Sequence, residues 1–184
     1  SEAEDILRRI KRLADENRRI LKEILDRIKE LADRVRKINE DSLRTLRKLA
    51  EELRRVAEKV RSEEVVRRLE RIIRELRRLL EENKRRNEEI IRELRRLLDE
   101  LRRRSEDTVR KIRKLLEDLI RKKGRSEKAE RLEREVRKIE KESREMLKRI
   151  EDEIRKVEED LRRLNEELER DVRRVEEEVK RAAD

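Results

Sequence analysis

Hydrophobic residues recur every 18 positions in three successive stretches of this chain, and that period limits the fold more than any other feature. In the first stretch Ile6, Ile24, Ser42 and Val60 share one phase, Leu7, Leu25 and Leu43 a second, and Leu13, Leu31 and Leu49 a third. Ala14, Ala32 and Ala50 form a fourth. The second stretch repeats Leu76, Leu94, Ile112 and Leu79, Leu97, Leu115; the third repeats Leu132, Ile150, Leu168 and Val136, Ile154, Val172. Eighteen residues complete about five helical turns at 3.6 residues per turn. A stripe of that period stays on one face of a straight helix, whereas a strict heptad stripe drifts by about 20° per repeat and imposes a left-handed supercoil.

A chain that is 60% charged and 33% hydrophobic would ordinarily read as disordered. Here the apolar third is confined to one face of each stretch, so periodicity decides the question. The abundant residues other than Val and Ile are strong helix formers. There is no Pro and only one Gly among the 184 residues, and no strand pattern competes. Without Cys there are no disulfides and the redox compartment cannot be read. No apolar run exceeds two residues, so neither a signal peptide nor a membrane span is expected. The net charge of +10 arises from 60 basic and 50 acidic residues that are interleaved throughout, the pattern of a solvated helix surface laced with ion pairs.

Helical-wheel phases divide the chain. Up to residue 60 the apolar arc spans about 140°, from Ile20 and Ile38 to Leu7 and Leu25; from Val65 it is about 120° wide with its centre displaced by about 130°. No single helix keeps one buried face across such a jump, so a break falls near Ser62, where Ser62-Glu63-Glu64 offers an N-cap followed by first-turn acids. The second break lies in Lys122-Lys123-Gly124-Arg125-Ser126-Glu127, with cations in a last turn, Gly at C′ and Ser at the next N-cap. Ser42 and Arg104-Ser105-Glu106-Asp107 resemble further helix starts, but the stripe passes both without changing phase. The predicted fold is all-α: one domain over 1–184, a straight antiparallel up-down-up three-helix bundle with helices of ~60 residues over 2–61, 63–123 and 126–183. Each helix would be about 85–90 Å long.

Few uncharged polar residues are present: no Gln, and 13 Asn, Ser and Thr together. Ser1, Ser62 and Ser126 sit at helix starts, and Thr45 lies at the margin of the first stripe. The other nine fall inside the apolar arcs. Heights at 1.5 Å per residue place Asn39, Ser42, Asn83, Asn87 and Asn165 together about 30–38 Å from the first turn, and Asn17, Ser105, Thr108 and Ser143 together at about 64–69 Å. Two buried hydrogen-bonded layers are expected. Such groups are tolerable only when they satisfy one another, and a buried polar residue can fix helix register.

Catalysis and metal binding find little support. There is no His or Cys, no acid lies in the middle of a stripe, and Ser42, Ser105 and Ser143 have no candidate base beside them, so no activation route for nucleophilic catalysis is expected. The chain is therefore expected to be no enzyme and to need no cofactor or metal. Arg102-Arg103-Arg104 and Arg121-Lys122-Lys123 could touch phosphates, but acids flank them and no aromatic is available for stacking, so no specific nucleic-acid partner is expected. Nor is a membrane partner, because an interfacial helix needs an exposed apolar face with aromatic anchors. The arcs suit a closed three-helix core in a monomer whose faces are covered by their own partner helices. A homo-oligomer sharing a larger core is the rival.

The 18-residue geometry, the Leu/Ile/Val/Ala core, the Arg/Lys/Glu surface, the Ser caps and the layered Asn, Ser and Thr resemble computationally designed parametric helical bundles with buried hydrogen-bond networks. The resemblance covers the whole chain and is one of architecture. It implies a stable structural scaffold with no natural biochemical function or compartment, soluble in the cytoplasm of an expression host, or else a module built to pair with itself or another designed chain. Spectrin-like repeats are similar in topology only, since their buried Trp is missing and the helices here are far longer.

Overall fold

The computed structural model describes residues 2–59 and 62–183, and among them every regular element is α-helical. Helix α1 spans Glu2–Lys59, α2 Glu63–Lys123 and α3 Glu127–Ala183. All three pack against one another. No break occurs at Ser42 or Ser105, as the unbroken stripe requires. Val60 and Arg61, with which the first helix was expected to close, lie outside the described residues, as does Ser1.

Local chemistry sets the ends. Ser62 Oγ accepts from Val65 N at 3.3 Å, and Ser126 Oγ accepts from Ala129 N at 3.2 Å, each satisfying one amide that a helix start leaves without an intrahelical partner. Ser126 is thus a cap ahead of α3, which begins one residue later than the expected boundary. Glu63 and Glu64 sit at the positive end of α2, while Arg121, Lys122 and Lys123 sit at its negative end. Gly124 has φ 74° and donates its N–H to Ile120 O at 2.7 Å, the bond that closes a left-handed C-cap. Nothing lies within 4 Å of where a Cβ would stand, so only backbone conformation demands glycine there. Gly124→Ala is therefore expected to lower stability by about 1 kcal/mol and Gly124→Asn by less, as read from denaturant midpoints.

Contacts group the chain into two units, each drawing on all three helices: Ser1–Glu30 with Glu93–Ile154, and Leu31–Arg92 with Arg155–Asp184. In the first unit Ile10, Ala14, Ile112, Leu116, Leu132 and Val136 form a buried cluster. In the second, one cluster holds Leu53, Ala57, Leu69, Ile73, Val175 and Val179, and another joins Leu43, Leu80, Leu168 and Val172. Ion pairs mark the relative directions of the helices. Arg18–Glu142 in the first unit, and Arg36–Asp160, Arg47–Asp171 and Arg54–Glu178 in the second, are each offset by 124 positions, as parallel α1 and α3 require. Between α2 and α3 one number rises as the other falls (Arg102–Glu151, Arg113–Glu140), the signature of antiparallel neighbours.

One expectation is corrected. The apolar arcs of α1 and α2 are not fully covered by partner helices: Leu31, Ile38, Val56, Ile72, Leu79 and Leu97 remain exposed, Ile38 to 62%. None of these six belongs to α3. The arcs of α1 and α2 are about 120–140° wide, more than their two partners cover.

Candidate functional site

The buried polar groups are the one constellation in which side-chain chemistry converges. In the second unit the asparagines meet across all three helices. Asn39, 1% exposed, stands at their centre. Its Oδ1 accepts from Asn87 Nδ2 at 2.9 Å and from Asn83 Nδ2 at 3.0 Å. Its Nδ2 donates to Val35 O at 2.8 Å and to Asn87 Oδ1 at 3.3 Å. A carboxamide has two N–H donors and two acceptor lone pairs on oxygen, so the capacity of Asn39 is filled. Asn83 extends the chain by donating to Asn165 Oδ1 at 3.3 Å, which brings in α3. Asn83 and Asn165 are half-buried, so their remaining groups reach solvent. Ser42 is also half-buried, at the edge of the α1 stripe, and no hydrogen bond joins it to these asparagines among the described residues.

In the first unit the polar contact is smaller. Asn17 Nδ2 donates to Ser143 Oγ at 2.7 Å, both residues being buried. Ser105 is buried, and with Ser143 it lines an open recess of about 470 Å³ between α2 and α3. Thr108 does not join them. Its hydroxyl donates to Arg104 O at 2.9 Å in its own helix, a back-bond that competes with lateral pairing. Thr45 does the same to Asp41 O at 3.0 Å.

Carboxylates stand near the two serines: Glu106, Glu140 and Glu151 wall the same recess. Arg113 lies 2.6 Å from Glu140, and Arg102 lies 3.4 Å from Glu151. No group of three or more Asp, Glu, His or Cys that could hold a metal ion is present among the described residues.

The ion pairs at the helix seams escaped sequence reading. Arg36, 21% exposed, reaches Asp160 at 2.8 Å. Arg77 holds Glu176 with both Nε and Nη2 in a two-pronged pair. The hydrogen bonds from Arg77 hold the Glu176 carboxyl below its ordinary range against the opposing effect of burial. A lowered folded-state value means that its stabilisation is complete above the ordinary carboxylate range and is lost as pH falls through the lowered value. Stability is therefore expected to decline on acidification below about pH 4, and Glu176→Gln should make that decline shallower. Denaturant midpoints from pH 7 to pH 2 check both outcomes.

No helix among the described residues is long and apolar enough to cross a membrane. No protein-family model matches the chain, and neither a curated protein nor a solved structure gives a significant match.

Proposed function

We propose that this chain is a non-catalytic structural scaffold of the computationally designed kind, in which buried polar layers fix the register of otherwise repetitive helices. The observation that carries this reading is the filled hydrogen-bonding capacity of Asn39, whose side-chain partners stand on α2 and whose chain of bonds ends on α3. The uniform placement of caps, charges and apolar stripes, with local and global preferences in agreement, supports it further, as does the absence of any family match. The basic clusters favour it over nucleic-acid binding, because Arg102 has Asp99 and Glu151 near it, Arg121 has Asp118, and Lys122 has Glu2.

The test is a variant in which Asn39, Asn83, Asn87 and Asn165 are all replaced by leucine. Apolar replacement of a complete polar group is expected to leave stability unchanged or raised. Spin labels at the exposed positions Arg44 and Arg170 read register: the parent gives one narrow distance distribution and the variant a broader or split one. An equally narrow distribution in the variant would show that the layer specifies nothing. Thermal unfolding of the parent is expected above about 65 °C, beyond the ordinary mesophile range.

A further inference from the structure

We infer that the open recess between α2 and α3 in the first unit is a binding site for a small neutral polyhydroxyl compound, such as a cyclic polyol. Its volume of about 470 Å³ is within the ordinary range of small-molecule sites. Two seam ion pairs bound it, Arg102 with Glu151 at 3.4 Å and Arg113 with Glu140 at 2.6 Å. Those pairs stand about 16 Å apart along α2. In the register they set, Ser105 is opposite Lys148 and Arg110 is opposite Ser143. Both serines line the recess while their residues are buried, Ser105 to 3% exposure and Ser143 to 6%. Ser143 Oγ accepts from Asn17, which leaves its own O–H to donate. Ser105 makes no hydrogen bond among the described residues. An unpaired buried hydroxyl is costly, and the recess is where a partner can reach this one. The contrast with the second unit is direct, since Asn39 has no capacity left to offer a ligand.

Hydrogen-bonding character, rather than charge, selects the occupant. Four cations and three carboxylates line the recess. They alternate within one turn of each other, as Arg102, Glu106 and Arg110 do on α2, so an ion of either sign would meet like charge. Guanidinium and ammonium groups only donate, and carboxylates only accept. A ligand that touches both kinds must itself do both, and a hydroxyl is the smallest group that does. Glu106, Arg144 and Lys148 make no ion pair among the described residues, so one acceptor and two donors are open to it. Two hydroxyls on adjacent carbons answer a donor and an acceptor side by side. Alternation over a length of about 16 Å calls for several such groups, more than a single carboxamide supplies. Val109, half-buried, and Leu147, buried, add an apolar patch suited to the C–H face of a ring. The site lies apart from the asparagines of the second unit, so the inference goes beyond the scaffold reading and stands whether or not those asparagines fix register.

The probe is myo-inositol, titrated into the full-length chain labelled with 15N and followed by backbone amide shifts. The expected result is a saturating shift confined to residues 102–110 and 140–151, with a Kd of about 10 mM or tighter. Affinity should be the same from about 20 to about 500 mM salt, because the ligand carries no charge. Ser105→Ala should weaken binding by about threefold or more. Its thermal melting should match the parent's, since that hydroxyl has no partner to lose. Glu106→Ala, which removes an acceptor at an exposed position, should also weaken binding by about threefold or more, and Glu106→Gln, which keeps one without its charge, by less. No saturating shift up to about 100 mM inositol would overturn the proposal, as would shifts spread through both units. Cyclohexanol binding as well as inositol would make the recess an apolar groove and overturn it too. So would inorganic phosphate moving the same amides at lower concentration with an affinity that falls as salt rises, which would make it an anion site.

Discussion

Asn39→Ala is expected to lower the unfolding free energy by about 2–5 kcal/mol, the largest effect of any single polar substitution in the chain. Removing its oxygen strands Asn87 Nδ2 and takes one of two acceptors from Asn83, while removing its nitrogen deprives Val35 O and Asn87 Oδ1 of a donor. A buried group left without a partner costs about 1–3 kcal/mol, and Asn87 is only 5% exposed. The comparison is Asn17→Ala, which breaks the single bond to Ser143 and should cost about 1–2 kcal/mol. Guanidinium denaturation of both variants checks the order. A loss for Asn39→Ala no greater than for Asn17→Ala would mean that the asparagine group does not act as a connected unit.

Leu168→Ala is expected to cost about 2–5 kcal/mol, while Ile38→Ala changes stability by less than about 0.5 kcal/mol. Leu168 is 1% exposed and joins Leu43 on α1 and Leu80 on α2, so truncation leaves a cavity that three stiff helices cannot readily close. Ile38 is 62% exposed and loses little on truncation. If Ile38→Ala destabilised the isolated chain as much as Leu168→Ala does, Ile38 would be covered in solution rather than exposed.

Much of the fold could be read from the residues because a helix converts sequence position into height and angle with fixed constants. The phase jump before Val65, the Ser caps and Gly124 located the helices to within a few residues. The constant rise brought Asn39, Asn83, Asn87 and Asn165 to one height, where the structure joins them. Rise alone does not reveal which way a hydroxyl turns. Thr108 shares the height of Asn17 and Ser143, yet its short side chain finds the carbonyl of Arg104 first. Arc width was also visible in the sequence, but not how much of each arc two partners would cover, which depends on crossing geometry. That is why Ile38 and Leu79 were expected inside. The seam ion pairs went unread for a different reason: arginine side chains reach several candidate carboxylates, and only packed coordinates select among them.

The offset of 124 positions carries a consequence for how the helices tell one alignment from another. Arg18, Arg36 and Arg54 are themselves 18 apart, and so are Glu142, Asp160 and Glu178. Shifted by one repeat, Arg18 would find Asp160 and Arg36 would find Glu178, with opposite charges still matched. The charged rims thus work like a ruler whose divisions are all alike: they hold any whole-repeat alignment and distinguish none. Beyond the covalent turns, which resist such a shift only by unwinding helix, the asparagines are, on the proposed reading, the index mark on that ruler.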